Sequence, residues 1–240
     1  MKYLEFRSAR DTNVLDLDQD QLATAREILS EHGLAVSSIG SPIGKIFIDE
    51  DFEPHLARMR HAAEVARFFE APYMRIFSFF LREGSDPAAH RDEVLRRMRA
   101  LADVAEQAGV ILLHENEKEI YGDVPGRCLD IMTSVASPNL RLAWDPANFV
   151  QVGVRPFSEG YATLRPHIEY VQIKDALLSD GSVVVAGAGD GEVAETVRAL
   201  RDDGFDGFFS LEPHLGDAQA LAVSRDHSCS PRPGKPSPTS

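Results

Sequence analysis

Three acidic residues each end a short apolar segment of this chain. Glu115 closes the segment VILLHE, Asp145 closes LRLAWD and Glu212 closes FFSLE. If these segments are parallel strands, their carboxyl ends meet on one face and bring the three carboxylates into one cleft. Carboxylates that are packed together repel one another unless a cation or a shared proton neutralises them. The pattern therefore predicts a metal site, and the alternative is three unrelated carboxylates in exposed loops.

Oxygen ligands of this kind favour Mg²⁺ or Mn²⁺, with Co²⁺ and Zn²⁺ as alternatives. Gln172 and Lys174 close a fourth apolar segment, IEYVQIK, and would reach the same face. Lys45, in the loop SPIGK, and Arg75, inside YMRIFSFF, are candidates to hold substrate hydroxyls or a phosphate. His114 precedes Glu115 and should point to the other side of its strand, which predicts a buried, hydrogen-bonded histidine rather than a ligand.

The elements that must position these residues alternate along the chain. Seven apolar runs have the length of buried strands: Tyr3–Arg7, Leu34–Ile39, Tyr73–Phe80, Val110–His114, Leu140–Trp144, Ile168–Ile173 and Phe208–Leu211. Between them, apolar residues recur at helical spacing in three stretches that begin near Leu22, Leu95 and Val193. Each stretch is followed by a glycine suited to a helix C-terminus: Gly33, Gly109 and Gly204.

This alternation predicts an α/β protein with a parallel sheet and helices outside it. An open doubly wound sheet and a closed (β/α) barrel both satisfy the pattern, so periodicity does not choose between them. The first strand is not followed by GxGxxG, which disfavours a dinucleotide-binding sheet.

The composition of the chain limits the kinds of binding partner and the cellular compartment that we expect. The 240 residues are 43% hydrophobic and carry a formal net charge of −13, which disfavours nucleic acid as a partner. No run approaches the roughly 18 apolar residues of a membrane span, and the start lacks a secretory signal. The two cysteines have no ligand-like spacing. We expect a cytoplasmic protein that acts on a small molecule, and the composition leaves a homo-oligomer open.

Five motifs resemble the sugar phosphate isomerase/epimerase family of xylose-isomerase-like TIM barrels. They are GVILLHENEKEIYGDVPGRCLDIM, LRLAWDPANFVQVG, YVQIKDAL, VAGAGDGEV and FDGFFSLEPHL, and the resemblance covers most of residues 1–215. It implies a closed barrel. It also implies that Glu115, Asp145 and Glu212 hold one divalent metal ion, with Glu115 and Glu212 acting as acid and base. The remaining ligand, usually histidine, falls on Gln172, and Asn148 stands where many relatives place a histidine near substrate.

These two replacements favour Mg²⁺ or Mn²⁺ over Zn²⁺. The implied reaction is proton transfer through a metal-bound enediolate of a sugar or sugar phosphate, giving isomerisation or epimerisation. Lys174 would lie near the developing negative charge, or form a salt bridge with a neighbouring carboxylate. Two alternatives are a polyol-ketone dehydratase of the same fold and a catalytically degenerate sugar-binding protein. An abasic-site endonuclease is disfavoured by the negative charge.

Compared with that family, the chain begins at the second strand. We therefore expect a (β/α)8-type barrel over residues 1–215 that lacks the first strand–helix unit and the final helix, with impaired activity as a result. Residues 216–240 include SRDHSCSPRPGKPSPTS, whose proline and serine content predicts a disordered tail.

Overall fold

Seven parallel strands form one sheet whose order follows the order of the chain. A computed structural model of the protein describes residues 2–212. The strands are β1 Tyr3–Phe6, β2 Ala35–Gly40, β3 Tyr73–Ile76, β4 Ile111–Glu115, β5 Leu140–Trp144, β6 Ile168–Ile173 and β7 Phe208–Leu211. Each is hydrogen-bonded in parallel to its neighbours in this order. The parallel sheet predicted from the sequence is confirmed.

The sheet curves until its two end strands approach each other. Within the described residues, β1 and β7 share no ladder of backbone hydrogen bonds, but their side chains touch. The rings of Tyr3 and Phe208 pack edge to face at 5.0 Å, and Ser210 Oγ lies 3.2 Å from Glu5 Oε2. A cavity of about 590 Å³ follows this seam. The architecture is therefore a nearly closed barrel of the TIM type.

Six helices accompany the barrel strands: α1 Gln19–Glu31, α2 Phe52–Phe68, α3 Pro87–Ala108, α4 Pro125–Val135, α5 Pro146–Gln151 and α6 Val193–Asp202. The sequence predicts α1, α3 and α6, and each is found where expected. Asp18 and Gln21 form a capping box at the start of α1. Gly109 ends α3 with φ at 70°, in the left-handed region that glycine adopts without strain.

Several short elements lie in the connections. One-turn 3₁₀ segments cover Val14–Asp16 and Arg165–His167, and a π-helical turn, Phe157–Tyr161, leads into Ala162–Leu164. Two-residue strands pair in antiparallel fashion, Ser8–Ala9 with Thr12–Asn13 and Asp175–Ala176 with Val183–Val184.

The core lies between the sheet and the surrounding helices. Its largest cluster includes Met59 of α2, Met74 of β3 and Met98 of α3, all fully buried. A second cluster is centred on Trp144, whose ring packs edge to face against Phe149 at 5.1 Å. Because both faces of the parallel sheet are covered, the strands read as continuous apolar runs rather than alternating ones.

The third strand is shorter than the predicted Tyr73–Phe80. It ends at Ile76, because the next residues bond to the loop that follows β2. Phe77 N donates to Ile43 O at 2.8 Å and Phe79 N to Gly44 O at 3.1 Å, and Phe79 adopts a φ of 69°. This departure from the sheet holds the loop 41–48 against the carboxyl end of β3.

Among residues 2–212, no helix combines the length and apolar character needed to cross a membrane. The predicted tail, residues 216–240, lies outside the described residues.

Candidate functional site

The three acidic residues singled out in the sequence come together at the carboxyl ends of their strands. Glu115 is the last residue of β4, Asp145 follows β5 and Glu212 follows β7. One carboxylate oxygen from each lies within 4.8 Å of the others. Glu115 and Asp145 are buried, and Glu212 is partly exposed. This spacing allows one cation to contact all three carboxylates.

Burial dominates the electrostatics of the two inner carboxylates. It raises the pKa of Glu115 to about 8, with Arg75 opposing the shift and the neighbouring acids adding to it. Burial also raises the pKa of Asp145 to about 6, although Lys174 works against that change. A carboxylate in such surroundings ionises readily only when more positive charge is supplied, so the site favours a bound cation.

Arg75 supplies part of that positive charge from β3. Its Nη1 lies 3.1 Å from Glu115 Oε2, 3.2 Å from Glu5 Oε1 and 3.6 Å from Glu212 Oε1. The side chain is buried, which by itself would lower the pKa of Arg75, but the three carboxylates outweigh burial and raise it. The structure thus places Arg75 among the carboxylates, and its predicted contact with substrate stays a prediction.

Lys174 and Asn148 connect the other two sides of the site. Lys174 Nζ lies 3.2 Å from Asp145 Oδ2 and donates to Asn148 Oδ1 at 2.9 Å. The Asn148 amide donates in turn to Glu115 Oε1 at 3.2 Å and to Asn116 O at 2.9 Å. Lys174 therefore makes the predicted salt bridge with a neighbouring carboxylate. With its amide engaged on both sides, Asn148 fixes the orientation of Glu115.

Asn116 was not predicted, although it follows Glu115 directly. Its side chain accepts from Asp145 N at 3.0 Å and donates to Asp145 O at 2.9 Å. This pair of bonds ties the end of β4 to the end of β5 and fixes the separation of the two carboxylates. The sequence signal that could have identified Asn116 is the run HEN, residues 114–116, in which a further polar residue stands where the apolar strand should end.

Glu5 is the other residue that the sequence analysis missed. Gln172 Nε2 donates to Glu5 Oε2 at 2.9 Å, and Arg75 contacts the other oxygen of the same carboxylate. A charged residue in the middle of the apolar run YLEFR was the signal. Gln172 Oε1 is buried and has no hydrogen-bond partner among the described residues, so this amide oxygen can accept from a substrate or bind a cation.

Lys45 lies at the mouth of the site. Its Nζ is 3.1 Å from Glu117 Oε2 and 4.1 Å from the centroid of the Phe77 ring. Together with Arg7 and Lys118 it lines a pocket of about 230 Å³ whose walls include Glu115, Asn148, Lys174 and Glu212. Glu117, the partner of Lys45, is partly buried.

His114 is fully buried, as predicted, and its Nε2 lies 2.9 Å from Ser78 Oγ. Burial lowers the pKa of His114 to about 3. The side chain belongs to the barrel wall.

A glycine-rich loop borders the pocket and is held by Asp175. The carboxylate of Asp175 is fully buried and accepts four backbone N–H groups at 2.8–3.0 Å, from Ala176, Gly187, Gly189 and Gly191. A Cβ on Gly189 would lie 2.4 Å from Ala176 O. Val183, which pairs with Ala176, lines the pocket. The glycines therefore allow the loop to wrap closely around one carboxylate.

The donor set fits a divalent metal ion. Three clustered carboxylates offer the oxygen ligands that Mg²⁺ and Mn²⁺ prefer, and Gln172 adds a buried carbonyl oxygen that lacks a hydrogen-bond partner among the described residues.

Comparison with known proteins gives a family and two curated relatives. The family model described as "Xylose isomerase-like TIM barrel" matches residues 1–227. A 3-dehydroshikimate dehydratase from Bacillus anthracis is 23% identical over 164 residues, which is 68% of this chain and 58% of that protein. A 2-epi-5-epi-valiolone 7-phosphate 2-epimerase from Actinoplanes sp. is 31% identical over 151 residues, covering 62% of this chain and 52% of that protein. The chain thus matches only a little over half the length of each relative.

Solved structures share the fold at low identity. A xylose isomerase-like TIM barrel protein from Mycobacterium smegmatis, in complex with magnesium, has a TM-score of 0.71 at 22% identity, with 90% of this chain and 78% of that chain covered. The IOLI protein with a binding zinc atom has a TM-score of 0.73 at 18% identity, with 92% and 82% covered. Proteins of similar architecture are thus known with either metal.

Proposed function

The chain belongs to the xylose isomerase-like TIM barrel family, and from that premise we propose that it is a divalent-metal-dependent isomerase or epimerase of a sugar or sugar phosphate. The observation that carries the proposal is the group formed by Glu115, Asp145 and Glu212, whose carboxylate oxygens lie within 4.8 Å of one another. The epimerase among the relatives gives the proposal its reaction class.

Four residues would hold the metal ion: the three carboxylates and, through its amide oxygen, Gln172. When bound, Mg²⁺ or Mn²⁺ would polarise the carbonyl of a ketose and stabilise negative charge that develops on its oxygen. The ion would also favour the ionised forms of Glu115 and Asp145, whose pKa values burial raises.

Glu115 and Glu212 are the proposed proton carriers. Glu115 ends β4 and Glu212 follows β7. These two strands are separated in the sheet by β5 and β6, so the two carboxylates approach a substrate from different sides of the barrel. One carboxylate removes the proton next to the carbonyl group. The other returns a proton to the opposite face, which is epimerisation, or to the neighbouring carbon, which is isomerisation.

The polar residues around them would keep this arrangement fixed. Asn148 bonds to Glu115 and to Lys174, which sets the orientation of the carboxylate that must meet the substrate carbon. Lys174 places a positive charge beside Asp145. Because precise positioning of acid and base groups is a large part of catalysis, these contacts support a catalytic role better than a role in simple ligand binding.

Dehydration of a cyclic polyol ketone is the second candidate, favoured by the likeness to a 3-dehydroshikimate dehydratase. It uses the same proton abstraction and differs in the loss of a β-hydroxyl group. A catalytically degenerate sugar-binding protein is the third, favoured by Gln172 at the position of a usual ligand. Product analysis separates the first two, and tight ligand binding without metal or turnover would indicate the third.

The test begins with metal binding. We expect the metal-free wild type to bind about one Mn²⁺ or Mg²⁺ per chain, and Glu212→Gln to lose that ion. The matched control is Glu117→Gln, which removes a carboxylate at the pocket mouth that lies outside the group of three. The loaded protein should then exchange the α-proton of a ketose with D₂O. A folded wild type that binds no divalent ion at millimolar supply would refute the proposal.

A further inference from the structure

The mouth of the pocket is basic in a chain that is strongly acidic overall. The formal net charge is −13, yet five basic and three acidic side chains line the pocket; the basic ones are Arg7, Lys45, Arg75, Lys118 and Lys174. Two of them, Arg75 and Lys174, are buried among the carboxylates of the site. The other three lie nearer to solvent, where an incoming ligand meets them first.

Lys45 stands on a loop that the fold holds rigidly. Gly44, directly before it, has a φ of +90°, and a Cβ there would lie 2.0 Å from Phe77 O. Gly44 N donates to the buried Nε2 of His55 at 2.7 Å. The ammonium group of Lys45 itself lies 4.1 Å from the centroid of the Phe77 ring, a cation–π contact. A cation held this way loses little conformational freedom when it binds a ligand.

The present ion pairs of the mouth cations are accessible to solvent. Arg7 Nη1 lies 3.8 Å from Glu212 Oε1 with the arginine side chain 59% exposed, and Lys45 is 33% exposed beside Glu117. Ion pairs in which one partner remains this accessible to solvent contribute little to stability. An anionic ligand that offers several oxygens can therefore replace these contacts at small cost.

Charge balance gives the same indication. Glu5 and Asp145 contact Arg75 and Lys174, and together with the three acidic lining residues they match the five basic ones in number. A divalent metal ion in the site would leave an excess of two positive charges. A neutral sugar would not compensate that excess, whereas a ligand with an anionic group would.

We propose that the substrate carries an anionic group, a phosphate ester or a carboxylate, which binds at the pocket mouth to Lys45 with Arg7 and Lys118. The inference rests on the proposed function for its substrate class, a small polyol ketone, and adds the charge of the substrate and the residues that select it. Arg75 and Lys174 remain with the buried carboxylates, so the anion lies at the mouth and the reacting carbons lie deeper.

Three matched ketoses test the proposal by calorimetric titration of the Mg²⁺-loaded protein. D-fructose is neutral, D-fructose 6-phosphate carries a phosphate ester, and D-fructuronate carries a carboxylate at the same end. We expect one of the two anions to bind at least tenfold more tightly than D-fructose. Lys45→Gln should remove most of that preference and Arg7→Gln part of it. Arg60→Gln, an exposed arginine on α2, should leave the preference unchanged.

A preference for the phosphate or for the carboxylate supports the proposal and identifies the anion. Equal binding of all three ketoses, or a preference that survives in both Lys45→Gln and Arg7→Gln, overturns it. Metal titration of the same samples keeps the two proposals separate. Normal metal binding without anion preference removes only this inference, whereas a Lys45-dependent preference in protein that binds no metal removes the proposed reaction and leaves the anion site.

Discussion

Replacing Asp175 with asparagine should loosen the glycine-rich loop beside the pocket. The wild-type carboxylate accepts four backbone N–H groups, two on each oxygen: Ala176 and Gly191 on Oδ1, Gly187 and Gly189 on Oδ2. Asparagine keeps one acceptor oxygen and places an NH₂ group in front of the other pair of donors. The orientation that keeps the side-chain oxygen with Ala176 and Gly191 leaves the N–H groups of Gly187 and Gly189 without an acceptor, and the bonds of these two groups are only partly buried.

The size of the effect follows from that count. A buried donor left unsatisfied costs about 1–3 kcal/mol, so these two partly buried donors together cost about 2 kcal/mol, the lower end of the range for two. A loss of about 2 kcal/mol in the free energy of unfolding lowers the Tm by about 4–8 °C in a chain of this size. If the loop opens locally to let water reach the N–H groups, the Tm falls less, and hydrogen exchange of the loop amides becomes faster instead.

The assay therefore combines thermal unfolding with hydrogen exchange of peptides that span residues 183–191. Asp180→Asn is the matched control, because the exposed Asp180 accepts one N–H group in the same segment, from Ser182. We expect Asp180→Asn to change the Tm little. The reasoning is refuted if Asp175→Asn unfolds within about 2 °C of the wild type and its loop amides also exchange at the wild-type rate.

Three further predictions concern titration and packing. Burial is the main reason that the pKa of Glu115 is raised to about 8, so Mn²⁺ must displace a proton from Glu115 to bind near pH 7. The apparent affinity for Mn²⁺ should therefore weaken up to tenfold for each pH unit below 8. Calorimetry in buffers of different ionisation enthalpy should detect about one released proton. Burial lowers the pKa of His55 from 6.5 to about 4, so as pH falls the unfolded state takes up the proton first and this histidine destabilises the fold. In urea unfolding, the stability advantage of wild type over His55→Gln should shrink by about 2 kcal/mol between pH 7.5 and 4.5. A difference that stays constant over this range would contradict the prediction. Gly44→Ala should cost about 2–4 kcal/mol of unfolding free energy, because the added Cβ overpacks against Phe77 and φ is positive. Gly33→Ala, which has a positive φ but open space around it, should cost about 1 kcal/mol. Equal costs for the two variants would show that close packing at Gly44 does not matter.

The sequence predicts the ends of β4, β5 and β7 well because polar residues there contrast with the apolar runs before them. Glu115, Asp145 and Glu212 each stand at such a boundary, and parallel strands bring them to one face. The closed barrel came from the family resemblance, since apolar runs alone do not encode how far a sheet curves.

Contacts across the barrel were not predictable in the same way. Glu5 and Gln172 are 167 positions apart, yet they share a hydrogen bond, and no local pattern relates them. Arg75 was predicted as a residue that binds substrate, because its charge within an apolar strand indicated function without indicating partners. Strand β3 was predicted to be four residues longer than it is. The backbone hydrogen bonds that turn Phe77 and Phe79 away from the sheet are made to the loop after β2.

The agreement between strand order and chain order has a consequence for assembly of the site during synthesis. Each strand pairs with the strand made just before it, so the sheet can grow at one edge as the chain emerges. Arg75 is in place before Glu115, and Lys174 before Glu212. Each positively charged side chain is thus in place before the carboxylate that would otherwise add a further unbalanced negative charge to the site. The nascent barrel never has to hold three close negative charges without a positive one among them.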